Sequence, residues 1–328
     1  RQNWYGHGNS ARMAKVVAAF LREKEIPMVA GDVLAGHQQY YDFAMPLDLP
    51  CFDAPPAGSR VSKDTVPLAL AAGVSGDDVA LMDEFLMGLE IGLASTCLGG
   101  HVIAGYDRVL ATGFAGLAAE ARAASGAFAE ASAVVMDAAC DYADRYARQA
   151  EALLASASAE DRPYLRRMAE ACDQLAAGPA RDFFQAVQAV AMTHEILTCE
   201  QPCSSLSLGR VDQYLYPYYV ADIAAGVLTP EDARELIEAL WLKIGALVQS
   251  YQNVTLGGGD GQGRDQSNEL TVMGLAATAR LKLDQPLVSL RCHAGMSDEL
   301  WSAALDLIGE GMGFPALFND PVVMAAKE

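Results

Sequence analysis

Residues 252–292 read QNVTLGGGDGQGRDQSNELTVMGLAATARLKLDQPLVSLRC, and this stretch decides the fold class. Val254 to Leu256 is a short apolar segment that ends in three glycines, which predicts a strand followed by a tight turn. We expect a helix from Asn268 to about Leu281. Pro286 then leads into Leu287 to Cys292, an apolar run that suits a buried strand. Strand, helix and strand in this order predict an α/β barrel or a layered sheet.

Two helices with clear N-terminal signals flank this stretch. Thr229 is a suitable N-cap, Pro230 fits the first turn, and the acidic residues that follow complement the helix dipole. Apolar residues then form one broad stripe between Leu236 and Val248, as expected for a helix that lies against a core. On the other side, Ser297 is the predicted cap of a helix over Asp298 to Gly309.

The chain before residue 180 is expected to be almost entirely helical. Ser10 to Glu25 and Asp77 to Leu93 are predicted helices. Asp107 to about Gly178 is rich in alanine, with charges at helical spacing, which predicts long packed helices. The sequence therefore predicts a mainly helical part at 1–180 and an α/β part at 181–328.

Composition excludes several classes of partner. The chain has 328 residues, 52% of them apolar, and carries 23 basic against 42 acidic residues, a net charge of −19. Such a charge repels nucleic acid and anionic membrane surfaces, so neither is an expected partner. The seven cysteines are an odd number and scattered, which favours reduced thiols and a cytoplasmic location.

Known metal-binding and phosphate-binding motifs are incomplete in this sequence. The glycine-rich run at 256–263 lacks the Lys-Ser or Lys-Thr pair of a phosphate loop. Cys199 and Cys203 have the first gap of a radical S-adenosylmethionine cluster motif, but Leu206 occupies the third cysteine position. With His194 these cysteines would supply only three of the four ligands of a structural zinc. We therefore predict no metal site.

Three groups of motifs, read together, resemble the pyruvate formate-lyase family of glycyl radical enzymes. Their order and spacing also match. The stretches are SLSLGRVDQYLYPYY at 205–219, QNVTLGG at 252–258, GRDQSNELT at 263–271, QPLVSLRCH at 285–293 and GFPALFND at 313–320. Weaker similarity extends to GGHVIAGYDRVL at 99–110 and FFQAVQ at 183–188.

The resemblance implies a helix-wrapped α/β barrel of two five-stranded halves. Residues 181–328 would form the first half, incomplete at the C-terminus, and would belong to the same domain as the helical part at 1–180. In the family, one loop carries a cysteine that becomes a thiyl radical, and a second loop carries the glycine that stores the radical. The family places that cysteine beyond the segment that ends at Asp320, and the glycine further on. We therefore expect no catalytic residue among the seven cysteines of this chain.

The same resemblance suggests which side chains line the substrate cavity. Position against the family favours His101, which follows two glycines and could instead be a structural hydrogen-bonding residue. It also favours Ser204 and Ser205, with backbone hydrogen bonding as the alternative role for both serines. Asn253 is expected to face the cavity from a strand end, and Arg291 to meet a substrate carboxylate, although both residues could instead be structural. A serine replaces a histidine of the family's diol dehydratases at 201–205, which argues against polyol dehydration.

The expected activity is that of a carbon-radical lyase or dehydratase acting on a small polar metabolite. The glycyl radical would be installed by a radical S-adenosylmethionine activating enzyme, no other cofactor is expected, and the intact protein would form a homodimer. Two alternatives remain open: formate C-acetyltransferase itself, and a catalytically inert scaffold.

Overall fold

A computed structural model describes residues 7–28, 31–36, 102–200, 205–247 and 251–326. In chain order the elements are α1 (His7–Glu23), β1 (Val102–Ile103), α2 (Tyr106–Ala123), α3 (Ala127–Leu153), α4 (Arg162–Ala177), α5 (Phe183–Glu200), β2 (Leu206–Ser207), α6 (Val211–Tyr214), α7 (Tyr216–Ala225), α8 (Pro230–Ala246), β3 (Asn253–Gly257), α9 (Glu269–Leu281), β4 (Leu287–Cys292), α10 (Asp298–Gly309), β5 (Ala316–Asn319) and α11 (Asp320–Ala325).

The five strands run parallel and lie side by side in chain order. β1 pairs with β2, and β3, β4 and β5 pair in succession. The two groups are joined where the amide of Leu208 donates to the carbonyl of Asn253 at 2.8 Å and the amide of Thr255 donates to the carbonyl of Gly209 at 2.9 Å. β1 and β5, at the two ends of this order, are exposed to solvent. Five parallel strands, with no further strand beside β1 or β5 among the described residues, are the expected half of a ten-stranded barrel.

Helices cover one face of this sheet and form a core with it. Trp241 on α8 is buried, and its indole Nε1 donates to Oγ1 of Thr278 on α9 at 3.0 Å. Gly274 lets α9 approach β3 closely, because a Cβ at this position would lie 2.9 Å from the Leu256 side chain. The same buried cluster includes Tyr142 of α3, so helical and sheet parts share one core. The predicted boundary after residue 180 stays a prediction.

The helix signals read from the sequence are largely confirmed. Thr229 caps α8 through a reciprocal capping box with Asp232, and Ser297 caps α10. Asn268 caps α9, which therefore begins at Glu269. The first helix runs over His7–Glu23 rather than Ser10 to Glu25. The predicted helix at 77–93 lies outside the described residues. None of the described helices is long and apolar enough to cross a bilayer.

Four short elements were not predicted from the sequence. β1 lies within the part that was predicted to be almost entirely helical, and its two residues form a strand because β2 offers a parallel partner. β5 was not predicted, although its sequence carries part of the family resemblance; it is short and pairs only with β4 among the described strands. The segment after β2 forms two short helices, α6 and α7. Tertiary pairing, which local patterns do not encode, determines both strands.

A buried carboxylate holds the C-terminal end of β3. Oδ2 of Asp212, on α6, accepts hydrogen bonds from the amide of Gly257 and from Oγ1 of Thr271, each at 2.7 Å. The side-chain amide of Asn268 donates to the carbonyl of Asp212 at 2.8 Å. Gly257 has a φ of 63°, and an added Cβ would lie 3.1 Å from Oγ of Ser267, so glycine suits this junction. Asp212 thereby ties α6, β3 and α9 together.

Replacing Asp212 is expected to destabilise the protein strongly. Asp212→Ala leaves the Gly257 amide and the Thr271 hydroxyl without their buried acceptor, which should lower the free energy of unfolding by about 3 kcal/mol. Urea denaturation followed by circular dichroism measures this change. Asp141→Ala is the control, because its ion pair with Arg22 is exposed and should contribute below about 1 kcal/mol. Equal losses in both variants would contradict the role given to Asp212.

Candidate functional site

The candidate site is the face of the sheet opposite the helices. Side chains alternate between the two faces of a strand. On β3 and β4 the residues turned toward the helical core are Val254, Leu256, Val288 and Leu290, all buried. The polar residues that alternate with them are Asn253, Thr255, Ser289 and Arg291, on the face that also carries Leu287, and the register aligns Asn253 with Leu287 and Thr255 with Ser289. We call these four residues the inner face.

The inner face is polar and mostly accessible. Asn253, Thr255 and Arg291 are partly exposed, whereas Ser289 is 7% exposed. Hydroxyl and amide groups on such a surface can donate and accept hydrogen bonds. Sequence analysis selected Asn253 and Arg291 but missed Thr255 and Ser289. The signal was present as a period-two alternation of polar and apolar residues, which the predominantly apolar character of both segments obscured.

Ser205 lies at the beginning of the strand neighbouring β3. Its side chain is buried, and its Oγ donates to the carbonyl of Tyr251 at 3.2 Å. Its own carbonyl accepts the amide of Val102 at 3.4 Å. In this structure Ser205 therefore makes the backbone hydrogen bond that was the alternative to substrate contact. His101 and Ser204, two other predicted site residues, lie outside the described residues.

Arg291 lies toward the opposite end of the sheet. It is four residues beyond Leu287, the partner of Asn253, a distance of roughly 13 Å along a strand. Its Nε donates to Oδ1 of Asp320 at 2.7 Å, and a terminal nitrogen donates to the carbonyl of Gly259 at 3.3 Å. Arg291 thus already has a carboxylate partner within the chain. Ser205 and Asn253 share one edge of the sheet, and Arg291 lies near the other.

The ion pair with Arg291 helps to lower the pKa of Asp320. Burial by itself would raise the pKa of Asp320, but hydrogen bonds from Arg291 and from the amide of Gly259 outweigh it and hold this pKa below its ordinary value. Asp320 therefore stays ionised at neutral pH. A substrate anion at Arg291 would have to compete with this carboxylate.

A chain of buried hydrogen bonds runs behind the edge that carries Asn253. The hydroxyl of Tyr106 lies 2.5 Å from Nδ1 of His194. Nε2 of His194 lies 2.8 Å from Oε1 of Gln252, and Nε2 of Gln252 donates to the carbonyl of Ile244 at 2.9 Å. We call Tyr106, His194 and Gln252 the buried relay. Burial lowers the pKa of His194 to about 4, so its ring is neutral near pH 7.

No metal centre emerges from the described ranges. None of them contains a group of three or more His, Cys, Asp or Glu side chains that could hold an ion. Both ring nitrogens of His194 are engaged in the buried relay. The side chains of Cys199 and Cys203 lie outside the described residues.

Neutral His194 should make stability depend on pH. Its pKa is about 4 in the folded chain against 6.5 for the free side chain, so the unfolded chain takes up the proton first as the pH falls. The stabilisation is complete above pH 6.5 and is lost between that value and about 4. Between pH 7 and pH 4 the wild type should lose roughly 3 kcal/mol more unfolding free energy than His194→Gln. Urea denaturation at both pH values measures this difference, and parallel losses would contradict a neutral buried ring.

Comparisons with known proteins agree with this architecture. The family model described as pyruvate formate lyase-like matches residues 74–328. The chain is 37% identical over 216 residues to the probable dehydratase YbiW of Escherichia coli. This match covers 60% of this chain and 27% of YbiW. It is 32% identical over 297 residues to the isethionate sulfite-lyase of Nitratidesulfovibrio vulgaris, covering 80% of this chain and 35% of the lyase.

A solved structure shares the fold over nearly the whole chain. The structure is described as concerning 1,2-propanediol dehydration in Roseburia inulinivorans. It aligns with this chain with a TM-score of 0.76 and 28% sequence identity, and the alignment covers 97% of this chain and 46% of the chain in that structure. The chain therefore spans only part of the length of each of these proteins. The chain belongs to the pyruvate formate lyase-like family, the family that its motifs indicate, and it carries the first half-barrel of that fold.

Proposed function

We propose that the complete protein is a glycyl radical lyase or dehydratase that acts on a small polar metabolite. The observation that carries this proposal is the polar inner face of the half-barrel: Asn253, Thr255 and Ser289 lie opposite the buried apolar residues of β3 and β4, and Asn253 and Thr255 are partly exposed. In a family member, that surface is the natural wall of the reaction cavity.

Radical chemistry explains why such a wall is needed. A thiyl radical abstracts hydrogen from an unactivated C–H bond, so the substrate must be held with that hydrogen next to sulfur and away from water. The inner face would orient the substrate through hydrogen bonds. The radical residues and the remaining wall would come from the part of the relatives that this chain does not match.

The chemistry of the inner face favours a hydroxylated substrate. Asn253, Thr255 and Ser289 are uncharged and can both donate and accept hydrogen bonds, which suits hydroxyl groups. The cation on this face, Arg291, is paired with Asp320. Two relatives named above are described as a dehydratase and as a sulfite-lyase, and this favours elimination over the formate C-acetyltransferase alternative. We further propose a radical S-adenosylmethionine activating enzyme as a partner, and a homodimer.

The complete protein should acquire a glycyl radical. Anaerobic co-expression of the full gene with its activating enzyme is expected to give a glycyl doublet in electron paramagnetic resonance. Product formation is then measured with isethionate, and also with 1,2-propanediol and glycerol, the polyols whose dehydration the serine at 201–205 argues against. Absence of the doublet, under conditions that activate a known relative, would favour the inert-scaffold alternative.

Thr255 provides a sharp test of the inner face. Thr255→Val keeps the shape and the strand preference of the side chain but removes its hydroxyl, so kcat/KM of the activated complete enzyme should fall about tenfold if that hydroxyl bonds the substrate. The matched control is Thr112→Val, because Thr112 is partly exposed and, among the described residues, its Oγ1 donates to the Arg108 carbonyl of its own helix. A change below twofold in Thr255→Val would contradict substrate contact.

A further inference from the structure

We propose that the buried relay of Tyr106, His194 and Gln252 positions the N-terminal edge of the sheet and thereby fixes Asn253 in the substrate cavity. This inference rests on the proposed function for its consequence, but its geometry can be tested separately. The three residues are positioning residues rather than catalytic ones, because they lie in the core behind the edge.

The backbone around Gln252 connects two strand starts. Gln252 immediately precedes β3, and its amide donates to Oε1 of Gln285 at 2.9 Å. Its carbonyl accepts the amide of Leu287, the first residue of β4, at 2.9 Å. A shift of Gln252 would therefore move the beginnings of β3 and β4 together, and Asn253 with them.

The other end of the relay reaches β1 and the segment after β2. Tyr106 begins α2, three residues after β1 ends. Its ring stacks on Tyr214, with ring centroids 5.8 Å apart and an interplanar angle of 24°. The hydroxyl of Tyr214 donates to the carbonyl of Leu208 at 3.0 Å, the residue that pairs with Asn253 through its amide. Contacts of the relay thus reach the start of β3 from both neighbouring strands.

The relay has one direction of hydrogen-bond donation. Because Nε2 of Gln252 donates to the Ile244 carbonyl, its Oε1 must face His194. Nε2 of His194 therefore carries the proton and donates, which leaves Nδ1 to accept from the hydroxyl of Tyr106. A single tautomer satisfies all three bonds, so the relay fixes side-chain orientation as well as distance.

Burial makes this arrangement rigid. His194 is 0% and Tyr106 is 1% exposed, and in such surroundings a broken hydrogen bond leaves an unpaired polar group that no bulk water replaces. Catalytic geometry is sensitive to displacements of about 1 Å. A relay that fixes the start of β3 would hold Asn253 to within such a distance.

The tautomer of His194 can be measured directly. In the complete protein labelled with ¹⁵N-histidine, with the His194 signal assigned by its loss in His194→Gln, the spectrum should show Nε2 protonated and Nδ1 unprotonated at pH 7. A ring protonated on Nδ1, or a rapidly averaging ring, would overturn the relay.

The positioning role is tested with Tyr106→Phe, which removes one hydroxyl and keeps the ring. Amide hydrogen exchange at Gln252 and Leu287 should accelerate about tenfold, whereas exchange at Gly257, on the far edge, should stay within twofold. The side-chain amide signals of Asn253, assigned through Asn253→Asp, should shift. Tyr164→Phe is the matched control, because its hydroxyl bonds only exposed Glu235, and it should change none of these readouts.

Three outcomes would overturn the inference: equal acceleration at both edges, unchanged exchange at Gln252 and Leu287, or unmoved Asn253 signals. In the activated complete enzyme Tyr106→Phe should also raise KM for isethionate or 1,2-propanediol about fivefold, with the glycyl radical yield unchanged. An unchanged KM would likewise overturn it. Failure to turn over either probe would count against the proposed function, while exchange and the Asn253 signals still decide the relay.

Discussion

The half-barrel depends on one buried carboxylate. Asp212 accepts hydrogen bonds from the Gly257 amide and the Thr271 hydroxyl, and burial raises its pKa, so it needs these donors to remain within the core. The bonds fix the end of β3 against α6 and α9. Because β3 is central in the strand order, the positions of its neighbours follow from its own.

This constraint gives a physical meaning to the motifs that carry the family resemblance. The stretches at 205–219, 252–258 and 263–271 contribute Asp212, Gly257 and Thr271, respectively, to one cluster of hydrogen bonds. The stretches at 285–293 and 313–320 meet beside it through the ion pair of Arg291 and Asp320. The residues that make the family recognisable therefore build the C-terminal edge of the sheet.

The two edges of the sheet consequently differ in chemistry. At the C-terminal edge the charged groups of Arg291 and Asp320 satisfy each other, which stabilises the strand ends. Toward the N-terminal edge, Asn253 and Thr255 present uncharged polar groups on an accessible face, with the buried relay behind them. Rigid support behind an accessible polar surface is what a substrate-orienting wall requires.

The sequence by itself determined the family, the alternation of strands and helices after residue 180, and the caps at Thr229 and Ser297, because these follow from local patterns of a few residues. Only the tertiary structure decided that β1 is a strand, that Arg291 pairs with Asp320, and that Thr255 and Ser289 share a face with Asn253. Each of these depends on a partner distant in the chain, and strand register or a long-range ion pair leaves no trace in local periodicity.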